Sequence, residues 1–187
     1  ISASFAQGLQ MTNILKDVWE DRSRGACWLP QDVFTRYGVD LAEAASEPFD
    51  PRFAAAFREL VGVAHAHLRN ALDYTLLIPG KETGIRRFCL WAIGLAVLTL
   101  RKIEDNPRFT AGAQVKVTRS AVAMTRVLTN VAGHGDWMLR ILFALAARGL
   151  PLAHLSDLRR QRPAPANLDS APEPEHALRR SYGNSGS

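Results

Sequence analysis

Cysteine is nearly missing from this chain: its 187 residues hold two, Cys27 and Cys89, too far apart to form a C-x-x-C pair. That excludes a disulfide-built scaffold and leaves no thiol basis for a structural metal. Two unpaired thiols fit a reducing cytoplasm. No apolar stretch approaches the roughly 20 residues that span a bilayer as a helix. The longest, Phe88 to Leu100, is bounded by Arg86, Arg87, Arg101 and Lys102 and suits a buried core helix. Residues two apart do not share a helix face, so His65 and His67 make no ligand pair, and His134, His154 and His176 are isolated. A block of basic residues is also lacking. The net charge is +5 and the pI about 9.7, but the bases are dispersed among acids except near the C-terminal end. Nucleic-acid recognition prefers a clustered basic face with aromatic platforms, so no nucleic-acid partner is expected. An anionic diphosphate or a peripheral contact with an anionic membrane surface accounts for so mild an excess.

Alternating β-branched segments are few, while 47% of residues are hydrophobic and recur at helical spacing. The reading is all-α. A first helix should run to about Arg22, with Gly25 and Pro30 marking the turn. A short helix, QDVFTRYG, closes at Gly38. Asp50 and Pro51 read as N-cap and first helical residue of a long helix that Pro79 and Gly80 stop. The next should span Glu82 to Ile103, another Val115 to Val131, and a last one opens with Asp136 as its cap and ends at Gly149 and Pro151. Residues 1–152 are read as one helical unit and 153–187 as a disordered tail. From Asp157 on, proline, charge and small polar residues cannot bury enough surface to offset ordering entropy.

The most informative run is LQMTNILKDVWED, where Asn13, Asp17 and Asp21 fall on one helical face. Acids four apart are most often a solvated face. Here Leu9, Met11, Ile14, Leu15, Val18 and Trp19 surround them, so the helix is expected to be buried and its carboxylates to need a counter-ion. A row of hard oxygens suits Mg²⁺, which keeps several waters and takes one or two carboxylates together with substrate phosphates. The ligand this implies is a diphosphate held through metal.

That run, followed by RSRGACWLPQDVF, resembles the second aspartate-rich motif of the squalene and phytoene synthases, the head-to-head prenyl transferases. Gln10, Thr12, Asn13, Ile14, Asp17, Glu20, Asp21, Gly25, Trp28 and Pro30 fit the pattern. Phe88 and Cys89 match a Phe-Cys pair of the squalene synthases, and Lys116 in GAQVKVTRSAV matches a lysine of theirs. The likeness extends over roughly residues 1–148. Departures are Ala26 where the family usually has arginine, with Arg22 and Arg24 nearby; Lys16 for an arginine, without the bidentate fork; and Thr118, beside Arg119, where a basic residue is usual. A first aspartate-rich motif, which the family carries upstream, has no match here, so the chain reads as the C-terminal portion of a longer protein.

The resemblance implies an all-α helical bundle of the isoprenoid synthase type around a dry apolar cavity that shields a carbocation. It implies condensation of two farnesyl diphosphates through a cyclopropyl intermediate, presqualene diphosphate, and reduction by NADPH to squalene. Asp17 and Asp21, with Asn13 and Glu20, would hold Mg²⁺, and Gln10 would line the same face. Lys16, Arg22 and Arg24 would stand near diphosphate, Phe88 would stabilise a cation through its ring face, and Lys116 and Arg119 would clamp a phosphate of NADPH at the end of a flexible NPRFTAG loop. The alternatives are a synthase that omits reduction, giving phytoene, dehydrosqualene or presqualene diphosphate, and a non-catalytic interaction protein that keeps the synthase fold.

Overall fold

Helix-stopping residues divide the chain much as their chemistry dictates. A computed structural model describes residues 2–42, 50–132 and 135–156, and among these residues there are seven α-helices and no strand. They are α1 (Ser2–Lys16), α2 (Val18–Ser23), α3 (Gln31–Arg36), α4 (Pro51–Leu76), α5 (Thr83–Asp105), α6 (Arg119–Ala132) and α7 (Asp136–Ala146), with a 3₁₀ turn at Gly112–Val115. The all-α reading holds. The tail expected to be disordered lies, from residue 157 on, outside the described residues.

Two glycines end helices by one device. After α2, Ala26 N–H donates to the Asp21 carbonyl and Gly25 N–H to that of Arg22, both at 2.9 Å, with Gly25 at φ 79°. After α3, Val39 and Gly38 repeat this pattern on Phe34 and Thr35, with Gly38 at φ 69°. Both are Schellman closures, which need a residue that tolerates the left-handed region. At the start of α4 the Asp50 carboxylate accepts from Arg52 N–H at 2.8 Å, with Pro51 as first helical residue.

α4 forms the spine. Its Phe53, Phe57, Leu60, Ala64, Leu68 and Leu72 are buried at helical spacing, and α1, α3 and α5 pack against it. α1 approaches closely because position 8 lacks a side chain: a Cβ on Gly8 would lie 2.9 Å from Leu68 Cδ2 and 3.2 Å from the Leu68 backbone nitrogen. Phe53 gathers Trp19, Phe34 and Phe57 at centroid distances of 5.7, 5.0 and 5.9 Å, and Phe109 joins them against Phe57 at 6.2 Å. This aromatic cluster ties α2, α3 and the segment after α5 to α4.

α5 carries the apolar run. It is long and apolar enough, by length and composition, to cross a membrane, although no run of that length was expected from the sequence. Cys89, Leu90, Ile93, Val97 and Leu100 on one face are buried in the core, as expected of a core helix, while Ile85, Phe88 and Trp91 are exposed. Cys27 and Cys89 are both free, and burial pushes the Cys89 thiol up against a smaller opposing effect from Thr75.

On α4, His65 and His67 behave as ordinary packed residues, one buried and one half-buried, His154 is exposed, and His134 and His176 lie outside the described residues. His65 is buried, stacks on Phe143 at 5.9 Å, and sits 2.7 Å from the Pro151 carbonyl; a carbonyl only accepts, so Nδ1 carries the proton. Burial holds the ring's pKa below 6.5, opposed by the Pro151 hydrogen bond and reinforced by the Arg69 charge. An unfolded chain therefore takes up a proton near pH 6.5 before the folded one does, so stability falls as pH drops through that value and below. Urea unfolding between pH 7.5 and 5 should show this fall, and His65→Gln should flatten it. An unchanged slope in the variant would remove His65 as its source.

Candidate functional site

The expected single helix to Arg22 is broken. α1 ends at Lys16, Asp17 sits at φ −97°, ψ 12°, and α2 begins at Val18. The register nevertheless survives, because Asp17 N–H donates to the Asn13 carbonyl and Asp21 N–H to the Asp17 carbonyl, each at 2.9 Å. Asn13, Asp17 and Asp21 thus remain successive four-residue steps. The break falls where Gly112 packs against the helix: a Cβ on Gly112 would lie 2.9 Å from the Lys16 carbonyl oxygen, 3.1 Å from Asp17 Oδ1 and 3.2 Å from Glu20 Oε1. Only a glycine backbone fits so close to three oxygens.

The acids are not the buried group that the surrounding apolar residues suggest. The Asp17 side chain is 41% exposed and pairs with Lys16 at 3.1 Å, Asp21 is half-buried, and Gln10 and Asn13 are exposed. The apolar neighbours pack on the other faces of α1 and α2, leaving the carboxylates at the rim. Glu20 differs from them. Its Oε1 accepts from Gly112 N–H at 2.6 Å, and its Oε2 is buried without a hydrogen-bond partner.

Of the cations expected near diphosphate, Lys16 sits on Asp17 and Arg24 is exposed in the turn after α2. Arg22 faces elsewhere: its Nη2 donates to the Leu41 carbonyl at 2.7 Å and its Nη1 is buried without a partner. Its place is a clamp on the chain after α3. Phe88 is 65% exposed on α5. Lys116 and Arg119 are exposed, but Lys116 does not lie in the helix expected from Val115 to Val131. It follows the 3₁₀ turn in extended conformation, and α6 starts at Arg119. Nor is the preceding loop loosely held, since Phe109 and Val115 on either side of Gly112 are buried, Val115 completely. Gln114 closes the turn by accepting from Thr110 N–H at 2.9 Å.

Among the described residues no three His, Cys, Asp or Glu side chains come together as a metal cage. The oxygens present still fit Mg²⁺, which needs only one or two carboxylates when phosphates complete its shell. Asp17 and Asp21 on one edge offer that much. A second feature is an apolar groove of about 250 Å³ between α5, α6 and α7, with Leu90, Val97, Met124, Leu128 and Leu142 among its walls.

Sequence reasoning missed Gly112. The GAQV run was visible, but nothing local signals that its first residue meets a helix 92 positions earlier.

The fold is all-helical, and it sets Asp17 and Asp21 one helical turn apart at the rim of α1 and α2. The squalene/phytoene synthase family model matches residues 1–121, and the chain belongs to that family. The match takes in Asp17, Asp21, Phe88, Lys116 and Arg119 but ends short of the expected residue 148. A phytoene synthase of Thermus thermophilus is 31% identical over 109 residues, 58% of this chain and 35% of that protein. Squalene synthase ERG9 of Candida albicans is 31% identical over 114 residues, 59% of this chain and 25% of that protein. A human squalene synthase is 28% identical over 124 residues, 66% of this chain and 29% of that protein. The chain thus spans a quarter to about a third of the length of these relatives. No solved structure matches it.

Proposed function

We propose that the protein containing this chain joins two farnesyl diphosphates head to head through presqualene diphosphate and reduces the product to squalene with NADPH. The observation that carries this reading is the preserved register of Asn13, Asp17 and Asp21 across the helix break, with the Gly112 segment lying against it. Asp17 and Asp21 would hold Mg²⁺, with Asn13 as a neutral oxygen beside them. When bound, the metal draws off the charge that develops on a departing diphosphate. Lys16 and Arg24 supply positive charge at the same edge. Gln10 extends the polar face one turn further along α1. The apolar groove between α5, α6 and α7 suits an isoprenoid chain, and excluding water protects an allylic cation from capture. Phe88, exposed on α5, is the ring proposed to stabilise such a cation, an interaction of about 0.5–2 kcal/mol. Lys116 and Arg119 are the groups proposed for a phosphate of NADPH.

The second reading is condensation without reduction, favoured by the phytoene synthase among the relatives at 31% identity. An assay of the full-length protein with radiolabelled farnesyl diphosphate and Mg²⁺, with and without NADPH, separates the two. Squalene should appear only with NADPH. A product indifferent to NADPH moves the assignment to the non-reducing reaction. No condensation by a folded protein favours the non-catalytic synthase-fold reading.

A further inference from the structure

We infer that Glu20 is a positioning residue: it latches the segment carrying Lys116 onto the carboxylate helix rather than serving as a metal ligand. The first support is geometric. Glu20 Oε1 takes the Gly112 N–H at 2.6 Å, and a carboxylate bonded to a backbone N–H forms one of the stronger hydrogen bonds available to a protein. The second is steric: with no side chain at 112, the segment settles against the Lys16 carbonyl, Asp17 Oδ1 and Glu20 Oε1 together. The third is the packing on either side. Phe109 enters the aromatic cluster against Trp19 and Phe57, and Val115 is completely buried.

Between those two anchors, the Glu20 bond fixes where the backbone crosses the Asp17 edge. Lys116 follows four residues later with its side chain exposed. The diphosphate edge and the proposed cofactor cation are therefore joined by one short path, Asp17 and Glu20 on the helix, then Gly112, then Lys116.

The latch itself is read without substrate. In the full-length protein, hydrogen exchange of the peptide spanning residues 109–118 should quicken by about tenfold in Glu20→Ala, the scale of losing one charge-assisted hydrogen bond. Glu20→Gln keeps a carbonyl oxygen able to accept from Gly112 N–H, so it should restore most of the protection. Gly112→Ala should expose the segment as Glu20→Ala does while leaving both carboxylates in place. Unchanged exchange in Glu20→Ala overturns the latch whatever the enzyme makes.

The consequence for catalysis rests on the proposed prenyl transfer. Glu20→Gln should keep the wild-type Mg²⁺ requirement, and Glu20→Ala should raise the KM for NADPH more than it lowers kcat for condensation. If Glu20→Gln instead demands well over a hundredfold more Mg²⁺, beyond the roughly 10–100-fold that losing an outer-shell partner costs, Glu20 is a metal ligand and the inference fails.

Discussion

Asp17→Asn together with Asp21→Asn should abolish condensation in the full-length protein. Each change alone should cut kcat by about 10²–10³, the usual consequence of removing one group aimed at charge that develops in the transition state. Asparagine keeps the shape and one oxygen of aspartate, so what is lost is the negative charge that attracts Mg²⁺. The helix should tolerate both changes. The Asp17 side chain is 41% exposed, and the register there is held by backbone bonds from Asp17 to Asn13 and from Asp21 to Asp17. The Lys16–Asp17 pair that disappears is a rim contact worth at most about 1 kcal/mol. A drop confined to kcat would place the carboxylates at the departing diphosphate, and an equal rise in KM would mean that they bind ground state and transition state alike. Asp32→Asn, at an exposed position in the first turn of α3, is the control and should leave activity unchanged. Full activity in the double variant, with helicity intact, would remove the metal role and with it the main support for the enzymatic reading.

What the sequence made legible was local. Gly25, Gly38, Asp50 and Pro51 act through their own backbone or the next few residues, so their roles as stops and starts could be read from identity and spacing alone. The Asn13–Asp17–Asp21 stripe was legible for the same reason. Its exposure was not, because the apolar residues around it cover other faces of α1 and α2, and which face meets α4 depends on Gly8 and Leu68, 60 positions apart in sequence but in contact in the fold. The break at Asp17 and the 3₁₀ turn at Gly112–Val115 come as a pair. One segment lies on the other through the Glu20–Gly112 bond, a tertiary contact that overrides the helical pattern on both sides. The helix expected from Val115 starts four residues later because Val115 is spent in the core and Lys116 leaves it in extended form. The roles of Glu20 and Arg22 shift for a like reason: motif position suggested ligands, and their partners turn out to be backbone atoms of distant segments.

Arg86 is the clearest case of a residue whose importance lies in three dimensions. In sequence it flanks an apolar run; in the fold it is 4% exposed. Its Nη1 donates to the Ile78 carbonyl at 2.9 Å and, more weakly, to that of Leu76 at 3.4 Å, while Nη2 pairs with the Asp136 carboxylate. It therefore satisfies carbonyls left open at the end of α4 and ties them to the start of α7. Asp136 was expected to cap α7, but Gly135 holds that position and makes no side-chain cap, so the acid is free to meet Arg86. Arg86→Ala should cost about 2–3 kcal/mol, the scale of leaving buried carbonyls at the end of α4 without their charged donor, seen as a lowered urea midpoint by circular dichroism. Arg86→Lys should recover only part of this, because a single ammonium cannot span carbonyl and carboxylate as the guanidinium fork does. Asp136→Asn should be milder, near 1 kcal/mol, since that side chain is 55% exposed and water can replace it. Were Arg86→Ala no more disruptive than Arg148→Ala on the exposed surface, the tie between the end of α4 and the start of α7 would have to come from apolar packing alone.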